Sequence, residues 1–256
     1  MHPVNLPETI HPQLAVALAA RGYDTLTPVQ LSVLAPEAAE RDLLVSAQTG
    51  SGKTVAFGMA IAPTLLGEAE RFAHATTPLA LLIAPTRELA LQVQRELQWL
   101  YAETGAQIAA GVGGMDIRTE RRALERGAHI VVGTPGRLRD HISKGALDLS
   151  QVRAVVLDEA DEMLDLGFRE DLEFILEAAP ESRRTLLFSA TVPRAIADLA
   201  KTFQRGALRL VATSAGEQHA DIEYQQIVVR NDEREHAVIN MLLLHDSSNT
   251  IVFCHT

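Results

Sequence analysis

The residues with the clearest chemical pattern form a short glycine-rich stretch between two apolar runs. It reads Ala47-Gln48-Thr49-Gly50-Ser51-Gly52-Lys53-Thr54. Residues 43–45 before it have the length of a buried strand, and residues 55–61 after it fit a helix. Glycines let such a turn curl so that its N–H groups point inward at an anion. The stretch therefore predicts a phosphate-binding P-loop and not a plain strand-to-helix connection.

Two side chains of this turn have specific predicted tasks. Lys53 should reach the β- and γ-phosphates of a nucleotide, and the Thr54 hydroxyl should ligate Mg²⁺. The motif usually begins with glycine, whereas Ala47 stands in that place here.

An acidic pair lies where a later strand is predicted to end. Residues 152–157 are mostly apolar, and Asp158 and Glu159 follow them within the letters D-E-A-D. Downstream of a P-loop, such an aspartate holds Mg²⁺, usually through water, and the neighbouring glutamate accepts a proton from the attacking water. The alternative is that both acids only stabilise a helix N-terminus. The P-loop favours the first interpretation, which makes Lys53, Asp158 and Glu159 the candidate catalytic residues.

A glutamine upstream of the P-loop has two interpretations. The sequence Thr27-Pro28-Val29-Gln30 has the pattern of a helix start, with Thr27 as N-cap and Gln30 closing a capping box. The Gln30 amide can also donate and accept at once, as reading the edge of adenine requires. The residues alone leave both interpretations open.

The elements that must position these residues alternate between short apolar strands and helices. After the first strand, further strands are predicted at 79–83, around Ile108, and at 129–132, 152–157, 185–188 and 208–211. This alternation predicts an α/β fold with a mostly parallel sheet and helices on both faces. Each polar signature follows a strand, and ligands of such sheets bind at the carboxyl edge. We therefore expect the motifs to gather on one rim of the sheet.

Length and segmentation indicate one large domain and part of another. The chain has 256 residues, and 47 % of them are apolar. Residues 1–211 are predicted to form a first domain and 212–220 a linker. Residues 221–256 are predicted to begin a second domain, with strands at 222–229 and 250–253 and a helix at 233–244.

Charge and cysteine usage limit the class of protein. The formal net charge is −10, which by itself argues mildly against a nucleic-acid binder. Arg121, Arg122 and the acids near them have the pattern of a solvated helix face. The histidines show no metal-ligand spacing. A single cysteine, no secretory signal at the start and no bilayer-spanning apolar run predict a cytoplasmic protein without a membrane partner.

Together these motifs resemble the DEAD-box family of ATP-dependent RNA helicases, which have two RecA-like domains. The resemblance covers nearly all of the first predicted domain and the start of the second. The similar segments are the Q motif from Gly22 to Gln30, motif I at 47–54, motif Ia at 85–90, the GG motif at 113–114, motif Ib at 134–137, motif II at 158–161 with its extension to 168, motif III at 189–191 and motif IV at 251–254. Their order and joint presence make the resemblance specific.

Two departures from the family pattern concern the adenine site. The family commonly has proline where this chain has Leu26, and its usual upstream aromatic has no counterpart near Asn5. The resemblance nevertheless assigns Gln30 to adenine recognition and implies ATP and Mg²⁺ as cofactors. The implied nucleotide-binding residues are Tyr23, Thr27, Gln30, Gln48, Thr49, Gly50, Ser51, Gly52, Lys53 and Thr54, and the implied metal ligands are Thr54 and Asp158.

The resemblance also implies an RNA groove and a coupling element. The implied RNA-binding residues are Pro85, Thr86, Arg87, Gly113, Gly114, Thr134, Gly136 and Arg137. Backbone N–H groups, hydroxyls and a few arginines read the sugar-phosphate path and not the bases, which is compatible with a charge of −10. Ser189 and Thr191 are implied to couple the nucleotide site to RNA through Asp161.

The resemblance predicts the amino-terminal half of an ATP-dependent RNA helicase. In this family the second domain supplies arginine fingers, which are worth roughly 10³–10⁵ in rate in related systems. We therefore expect residues 1–256 to bind nucleotide with little turnover. The alternatives are a DNA-directed translocase on the same core and a non-catalytic docking module. The presence of Lys53, Asp158 and Glu159 argues against the second of these.

Overall fold

The computed structural model describes residues 6–114, 116–212, 225–245 and 249–253. The chain divides into two compact units, Met1–Thr213 and Ser214–Thr256. The strands of the first unit are β1 (Leu43–Ser46), β2 (Ala80–Ile83), β3 (Ile108–Gly111), β4 (Ile130–Gly133), β5 (Ala154–Leu157), β6 (Arg184–Ser189) and β7 (Leu208–Val211). Its helices are α1 (Pro12–Ala20), α2 (Pro28–Val33), α3 (Lys53–Leu66), α4 (Arg87–Leu100), α5 (Ile117–Glu125), α6 (Pro135–Ser143), α7 (Ala160–Asp165), α8 (Arg169–Ala178) and α9 (Arg194–Phe203).

The seven strands form one sheet in the order β3-β4-β2-β5-β6-β1-β7. Every neighbouring pair is parallel. The carboxyl ends of all the strands therefore point to the same edge, which we call the carboxyl rim. This confirms the predicted parallel α/β architecture, with the segments that follow the strands gathered on one side.

Burial on both faces explains the apolar strands. All the residues of β2, β4 and β5 are buried, as expected of a parallel sheet covered by helices. One face carries α3 and α4, with Phe57 of α3 packed edge to face on Phe188 of β6 at 5.4 Å between ring centroids. The other face carries α7, α8 and α9, including Met163 and Ile175. The two layers fix the sheet and so the positions of its carboxyl ends.

The second unit departs from the prediction. Its helix α10 (Arg234–His245) confirms the helix predicted at 233–244. Residues 225–229 and 250–253 adopt no strand, so the strand predictions are wrong there. A strand forms only through a regular backbone hydrogen-bond ladder with a neighbouring strand, and neither segment is part of such a ladder among the described residues. Residues 213–224 and Cys254 of the predicted motif IV lie outside the described residues. Across the described ranges, no helix is both long and apolar enough to cross a bilayer.

A buried histidine makes the stability of the first unit dependent on pH. His129 Nδ1 accepts the Gln107 N–H at 2.9 Å, while Nε2 lies 2.9 Å from the Ala73 carbonyl, so the ring is neutral with its proton on Nε2. Its ring stacks on Phe72 at 4.5 Å. Burial lowers the pKa of His129 below 6.5. Protonation would place a donor against the Gln107 N–H.

We therefore expect acid to destabilise the first unit through His129. Below 6.5 the unfolded chain binds a proton at this position while the folded chain does not, so stability falls as pH decreases from 6.5 to the folded pKa. The loss is at most about 1.4 kcal/mol per pH unit. Urea unfolding at several pH values, compared with His129→Gln, measures this contribution. Identical pH dependence in the two proteins would contradict it.

Candidate functional site

The P-loop turn connects β1 to α3 at the carboxyl rim. Gly50 and Gly52 both take the left-handed backbone conformation, with φ of 81° and 87°, which favours glycine. Gly52 is the N-cap of α3, and no described side chain caps the helix there. The first N–H groups of α3 are therefore left for another acceptor. The Ser51 hydroxyl donates to the Gln48 carbonyl at 2.7 Å and closes the turn. A helix start of this kind attracts phosphate groups.

Lys53 lies between the two acids that are predicted to act with it. Its Nζ is 3.8 Å from Asp158 Oδ1 and 3.5 Å from Glu159 Oε1. The Thr49 hydroxyl donates to the same Glu159 oxygen at 2.9 Å. Lys53 is only 6 % exposed and Asp158 only 4 %. The P-loop and the end of β5 therefore meet in one buried cluster of opposite charges.

The two acids differ in their affinity for protons. Burial raises the pKa of Asp158 to about 6, although the charge of Lys53 acts in the opposite direction. Burial also raises the pKa of Glu159, but hydrogen bonds from Glu162, Thr49 and Lys53 outweigh it, so that pKa lies below its usual value. A hydrogen bond to the Glu159 carboxylate raises the pKa of Glu162. Glu159 is thus ionised at neutral pH and able to accept a proton.

The residues at the end of β5 fit a magnesium ion that arrives with a nucleotide. Asp158 Oδ1 is buried and accepts no hydrogen bond from any described residue. Thr54, in the first turn of α3, is buried as well. Mg²⁺ prefers such oxygen donors and is commonly held by one or two carboxylates together with phosphates and water. Within the described ranges, no three His, Cys, Asp or Glu side chains are grouped to hold a metal by themselves.

Gln30 is both a helix-capping residue and a neighbour of the P-loop. The Thr27 hydroxyl accepts the Gln30 N–H at 3.4 Å, and Gln30 Oε1 accepts the Thr27 N–H at 3.0 Å, which confirms the predicted capping box. Gln30 Nε2 also donates to the Gly52 carbonyl at 3.2 Å. An amide has two donors and two acceptor lone pairs, so these bonds use half of its capacity. A buried, oriented amide is thus held beside the phosphate-binding turn.

Tyr23, expected at the nucleotide, is engaged in packing. Its ring stacks on Trp99 of α4 with 5.8 Å between centroids, and the Arg21 guanidinium lies 4.9 Å from the same tryptophan ring. These contacts attach the segment before α2 to α4. The Tyr23 ring therefore helps to hold the segment before Gln30 against α4, and its contact with the nucleotide stays a prediction.

The predicted RNA-binding residues follow β2, β3 and β4, which are neighbours in the sheet. Pro85 is buried, and the Thr86 hydroxyl caps α4 by accepting the Leu89 N–H at 3.2 Å. Arg87 is exposed in the first turn of α4. A Cβ on Gly114 would lie 2.7 Å from Arg87 Nη1, so these two residues are in close contact. The structure thus brings the segments after β2 and β3 together.

The segment after β4 completes this part of the carboxyl rim. The Thr134 N–H donates to the Gly111 carbonyl at 3.1 Å. Pro135 begins α6 at a position where its missing N–H costs nothing, and Gly136 is exposed. Arg137 Nη1 donates to Glu120 Oε2 at 3.0 Å. The expected RNA-binding residues therefore form one continuous part of the rim, with Gly113 partly buried between β3 and the exposed Gly114.

The three residues expected to couple the sites are in direct contact. Asp161 Oδ2 accepts both the Thr191 N–H at 3.0 Å and the Thr191 hydroxyl at 2.8 Å. The Asp161 N–H donates to Ser189 Oγ at 3.3 Å. The Ser189 carbonyl in turn accepts the Ala47 N–H at 3.0 Å. The segment after β6 is therefore joined both to the acidic segment after β5 and to the start of the P-loop.

Sequence reasoning missed one acid beneath the RNA-binding residues. Glu120 was expected on a solvated helix face with Arg121 and Arg122, but it is 2 % exposed. Arg121 and Glu125 do lie on the exposed face of α5, where they form an ion pair. The available signal was the spacing of Glu120 and Leu124, which places both on one side of α5, since residues four apart share a helix face.

This arrangement defines the class of protein. A parallel sheet with a P-loop after one strand and an acidic pair after another, joined through a buried lysine, is a RecA-like nucleotide-binding domain of the P-loop NTPase class. A family model described as "DEAD/DEAH box helicase" matches residues 27–199 of the chain. The chain belongs to this family.

Relatives and solved structures agree with the family. The chain is 44 % identical over 194 residues to DEAD-box ATP-dependent RNA helicase 9 of rice, covering 76 % of this chain and 30 % of that protein. It is 36 % identical over 240 residues to ATP-dependent RNA helicase DbpA of Bacillus subtilis, covering 94 % of this chain and 49 % of that protein. The chain thus spans half or less of these relatives.

The fold is also similar to that of solved proteins. A crystal structure of a DEAD box protein from Methanococcus jannaschii superimposes with a TM-score of 0.71 at 36 % identity, covering 94 % of this chain and 62 % of that one. A hypothetical ATP-dependent RNA helicase from Sulfolobus tokodaii gives a TM-score of 0.69 at 34 % identity, covering 78 % of this chain and 56 % of the other. These likenesses support the RecA-like fold.

Proposed function

We propose that the chain is the nucleotide-binding part of an ATP-dependent RNA helicase, which binds ATP with Mg²⁺ and the backbone of single-stranded RNA. The observation that carries the proposal is the convergence of Lys53, Asp158 and Gln30 on one turn. Lys53 is held 3.8 Å from Asp158, and Gln30 donates to the carbonyl of the residue before Lys53. One site therefore holds groups that can bind phosphate, a metal ion and the adenine base.

Each residue of this site has a task that follows from its position. The N–H groups at the start of α3 and the Lys53 ammonium bind phosphate oxygens. Gln30 orients the adenine edge by donating and accepting. Glu159, ionised at neutral pH, accepts a proton from water that attacks the terminal phosphate. A magnesium ion held by Asp158, through water, and by Thr54 would neutralise phosphate charge.

RNA binding is proposed for the part of the rim after β2, β3 and β4. Thr86, Arg87 and Arg137 supply a hydroxyl and two guanidinium groups, and the Gly113–Gly114 turn allows close approach of backbone N–H groups. The contacts between Asp161 and Thr191 join the acidic segment to the segment after β6. Through this junction we propose that RNA and nucleotide affect each other's binding.

We further propose that residues 1–211 are the first RecA-like domain, 212–220 a linker and 221–256 the start of a second. Leu243 and Leu244 of α10 are each 74 % exposed. Exposed apolar side chains of this kind support the proposal that another protein surface covers this helix. By resemblance, the second domain supplies arginine fingers, so residues 1–256 bind nucleotide with little turnover. The proposed location is cytoplasmic.

Nucleotide selectivity tests the proposal. Calorimetric titration of residues 1–256 with Mg·ADP and with Mg·GDP should show ADP bound roughly tenfold or more tightly, because a site that hydrogen-bonds one base edge rejects another. Gln30→Ala should abolish most of this preference while Gln92→Ala, at an exposed glutamine of α4, keeps it. Equal affinity of the wild-type chain for both nucleotides would contradict adenine recognition by Gln30.

Nucleic-acid preference tests the second half of the proposal. Fluorescence anisotropy with labelled single strands of RNA and DNA of the same sequence should show tighter binding of RNA, since the 2′-hydroxyl is the group that separates them. Tighter binding of DNA would favour a DNA-directed translocase. Binding of neither strand, together with no binding of nucleotide, would favour a docking module.

A further inference from the structure

A buried acid joins two of the segments that are proposed to bind RNA. Glu120 Oε1 accepts the Val112 N–H at 3.0 Å. Glu120 Oε2 accepts from Arg137 Nη1 at 3.0 Å and lies 2.8 Å from His141 Nε2. We refer to Val112, Glu120, Arg137 and His141 as the Glu120 cluster. Every member except Arg137 is buried, and the Arg137 side chain is 17 % exposed.

The position of this cluster gives it a consequence at the carboxyl rim. Val112 directly precedes the Gly113–Gly114 turn, and Arg137 lies in the first turns of α6. His141 is one helical turn after Arg137, so both side chains leave α6 on the same side. A single carboxylate therefore fixes the backbone at the entry to the glycine turn and the direction of the Arg137 guanidinium.

Burial of a carboxylate is costly unless partners compensate for it. Glu120 lies on α5 and accepts hydrogen bonds from three donors. One is the Val112 N–H after β3, and the other two are Arg137 and His141 of α6. The fork of the arginine leaves further N–H groups for a phosphate after one has been given to Glu120. The orientation of those groups is set by the carboxylate, because the stem of arginine is otherwise free to rotate.

We propose that Glu120 is a positioning residue for RNA binding, which acts by orienting Arg137 and the Gly113–Gly114 turn. The proposal rests on the proposed RNA-binding function of this part of the rim. Glu120 itself is too buried to contact a phosphate, and its charge would repel one. Its effect on RNA must therefore pass through the groups that it holds.

The direction in which one substitution changes the affinity for RNA separates positioning from simple electrostatics. Glu120→Gln removes a negative charge near the RNA path, so electrostatics alone predicts tighter binding of RNA. The same change weakens the bond to Arg137, because the neutral amide carries no charge, and it places the amide NH2 group toward at least one of the three donors. Positioning therefore predicts weaker binding, by about fivefold to tenfold. Glu125→Gln on the same helix is the matched control, since the Glu125 side chain is 55 % exposed.

The test measures RNA and nucleotide binding in parallel on residues 1–256. Anisotropy with a labelled single-stranded oligouridylate should give the weaker binding for Glu120→Gln, while Glu125→Gln binds as the wild type or slightly more tightly. Calorimetry should give an unchanged Kd for Mg·ADP in both variants, which shows that the nucleotide site is intact. Glu120→Gln that binds RNA as tightly as the wild type, or loses ADP binding in parallel, overturns the proposal.

A double-mutant cycle identifies the route. Arg137→Gln should weaken RNA binding, and adding Glu120→Gln to it should cause a smaller loss than Glu120→Gln causes in the wild type, because only the effect through the Gly113–Gly114 turn remains. Additive losses overturn the route through Arg137. If Glu120→Gln does not fold, the same cycle is run with His141→Leu, which deletes one of the donors to Glu120 and should weaken RNA binding about twofold to fivefold; unchanged RNA binding in His141→Leu then overturns the proposal.

These outcomes separate the inference from the function on which it rests. If the wild-type chain binds no single-stranded RNA, or if Arg137→Gln binds it normally, the proposed RNA site fails and the role of Glu120 fails with it. If Arg137→Gln weakens binding while Glu120→Gln does not, only the role of Glu120 is overturned.

Discussion

Replacing Lys53 with alanine should weaken the binding of Mg·ADP by roughly a hundredfold. The ammonium lies 3.8 Å from Asp158 and 3.5 Å from Glu159, so it is the cation that allows phosphate groups to approach two acids. A charge-assisted hydrogen bond of this kind contributes about 1.5–3 kcal/mol. Its removal also takes away the positive charge that lies beside Asp158 and Glu159 and offsets their repulsion of the phosphates. Isothermal titration of the wild type and the variant with Mg·ADP gives the ratio directly.

Lys144→Ala is the matched control for this substitution. Lys144 pairs with Asp140 at 2.6 Å on α6, and its side chain is 61 % exposed, so its removal should leave the affinity for Mg·ADP unchanged. If Lys53→Ala binds Mg·ADP within threefold of the wild type while remaining folded, the phosphates do not bind at this turn. A docking module would then be the better description of the first unit.

Replacing Arg184 with methionine should lower the free energy of unfolding of the first unit by about 3–5 kcal/mol. Arg184 is 6 % exposed, and its guanidinium donates to the carbonyls of Arg41 at 2.6 Å, Ala60 at 2.6 Å and Ala38 at 2.9 Å. Methionine fills much of the space but leaves three carbonyl groups without these donors. Arg41 lies just before β1 and Ala60 lies within α3, so the same bonds hold the two elements that carry the P-loop.

Urea unfolding followed by the fluorescence of Trp99, the only tryptophan of the chain, measures this loss in the first unit. Arg121→Ala is the control, because its side chain is 66 % exposed and forms an ion pair with Glu125 on the surface of α5. The control should change stability by less than about 0.5 kcal/mol. A loss below about 1 kcal/mol in Arg184→Met would mean that water or rearrangement replaces the guanidinium.

Local patterns in the sequence predicted the individual motifs because the residues of each motif are close along the chain. The capping box of Thr27 and Gln30 spans four residues, and the P-loop spans eight. In both cases the backbone geometry follows from residue type and short spacing. That the motifs share a rim followed from the alternation of strands and helices, since parallel strands end on one side.

Long-range contacts set the features that could not be predicted. The strand order β3-β4-β2-β5-β6-β1-β7 depends on which faces pack together, and most of these strands have only four residues. The helix α6 was not predicted, although Thr134-Pro135-Gly136-Arg137 opens it with proline at the position where a helix tolerates it. Glu120 was expected in solvent because its partners Arg137 and His141 lie on another helix. The apolar residues of the second unit predicted strands, but the structure assigns no strand to residues 225–229 or 250–253.

Hydrogen exchange with mass spectrometry, on residues 1–256 with and without ligands, tests the central claim most directly. Mg·ADP should slow exchange in residues 47–54 and 158–161 and around Gln30, and single-stranded RNA should slow it in residues 85–87, 112–114 and 134–137. Both sets lie on the carboxyl rim although they are far apart along the chain. Protection by Mg·ADP that leaves 47–54 unchanged, or protection by RNA confined to segments at the opposite edge of the sheet, would contradict the account.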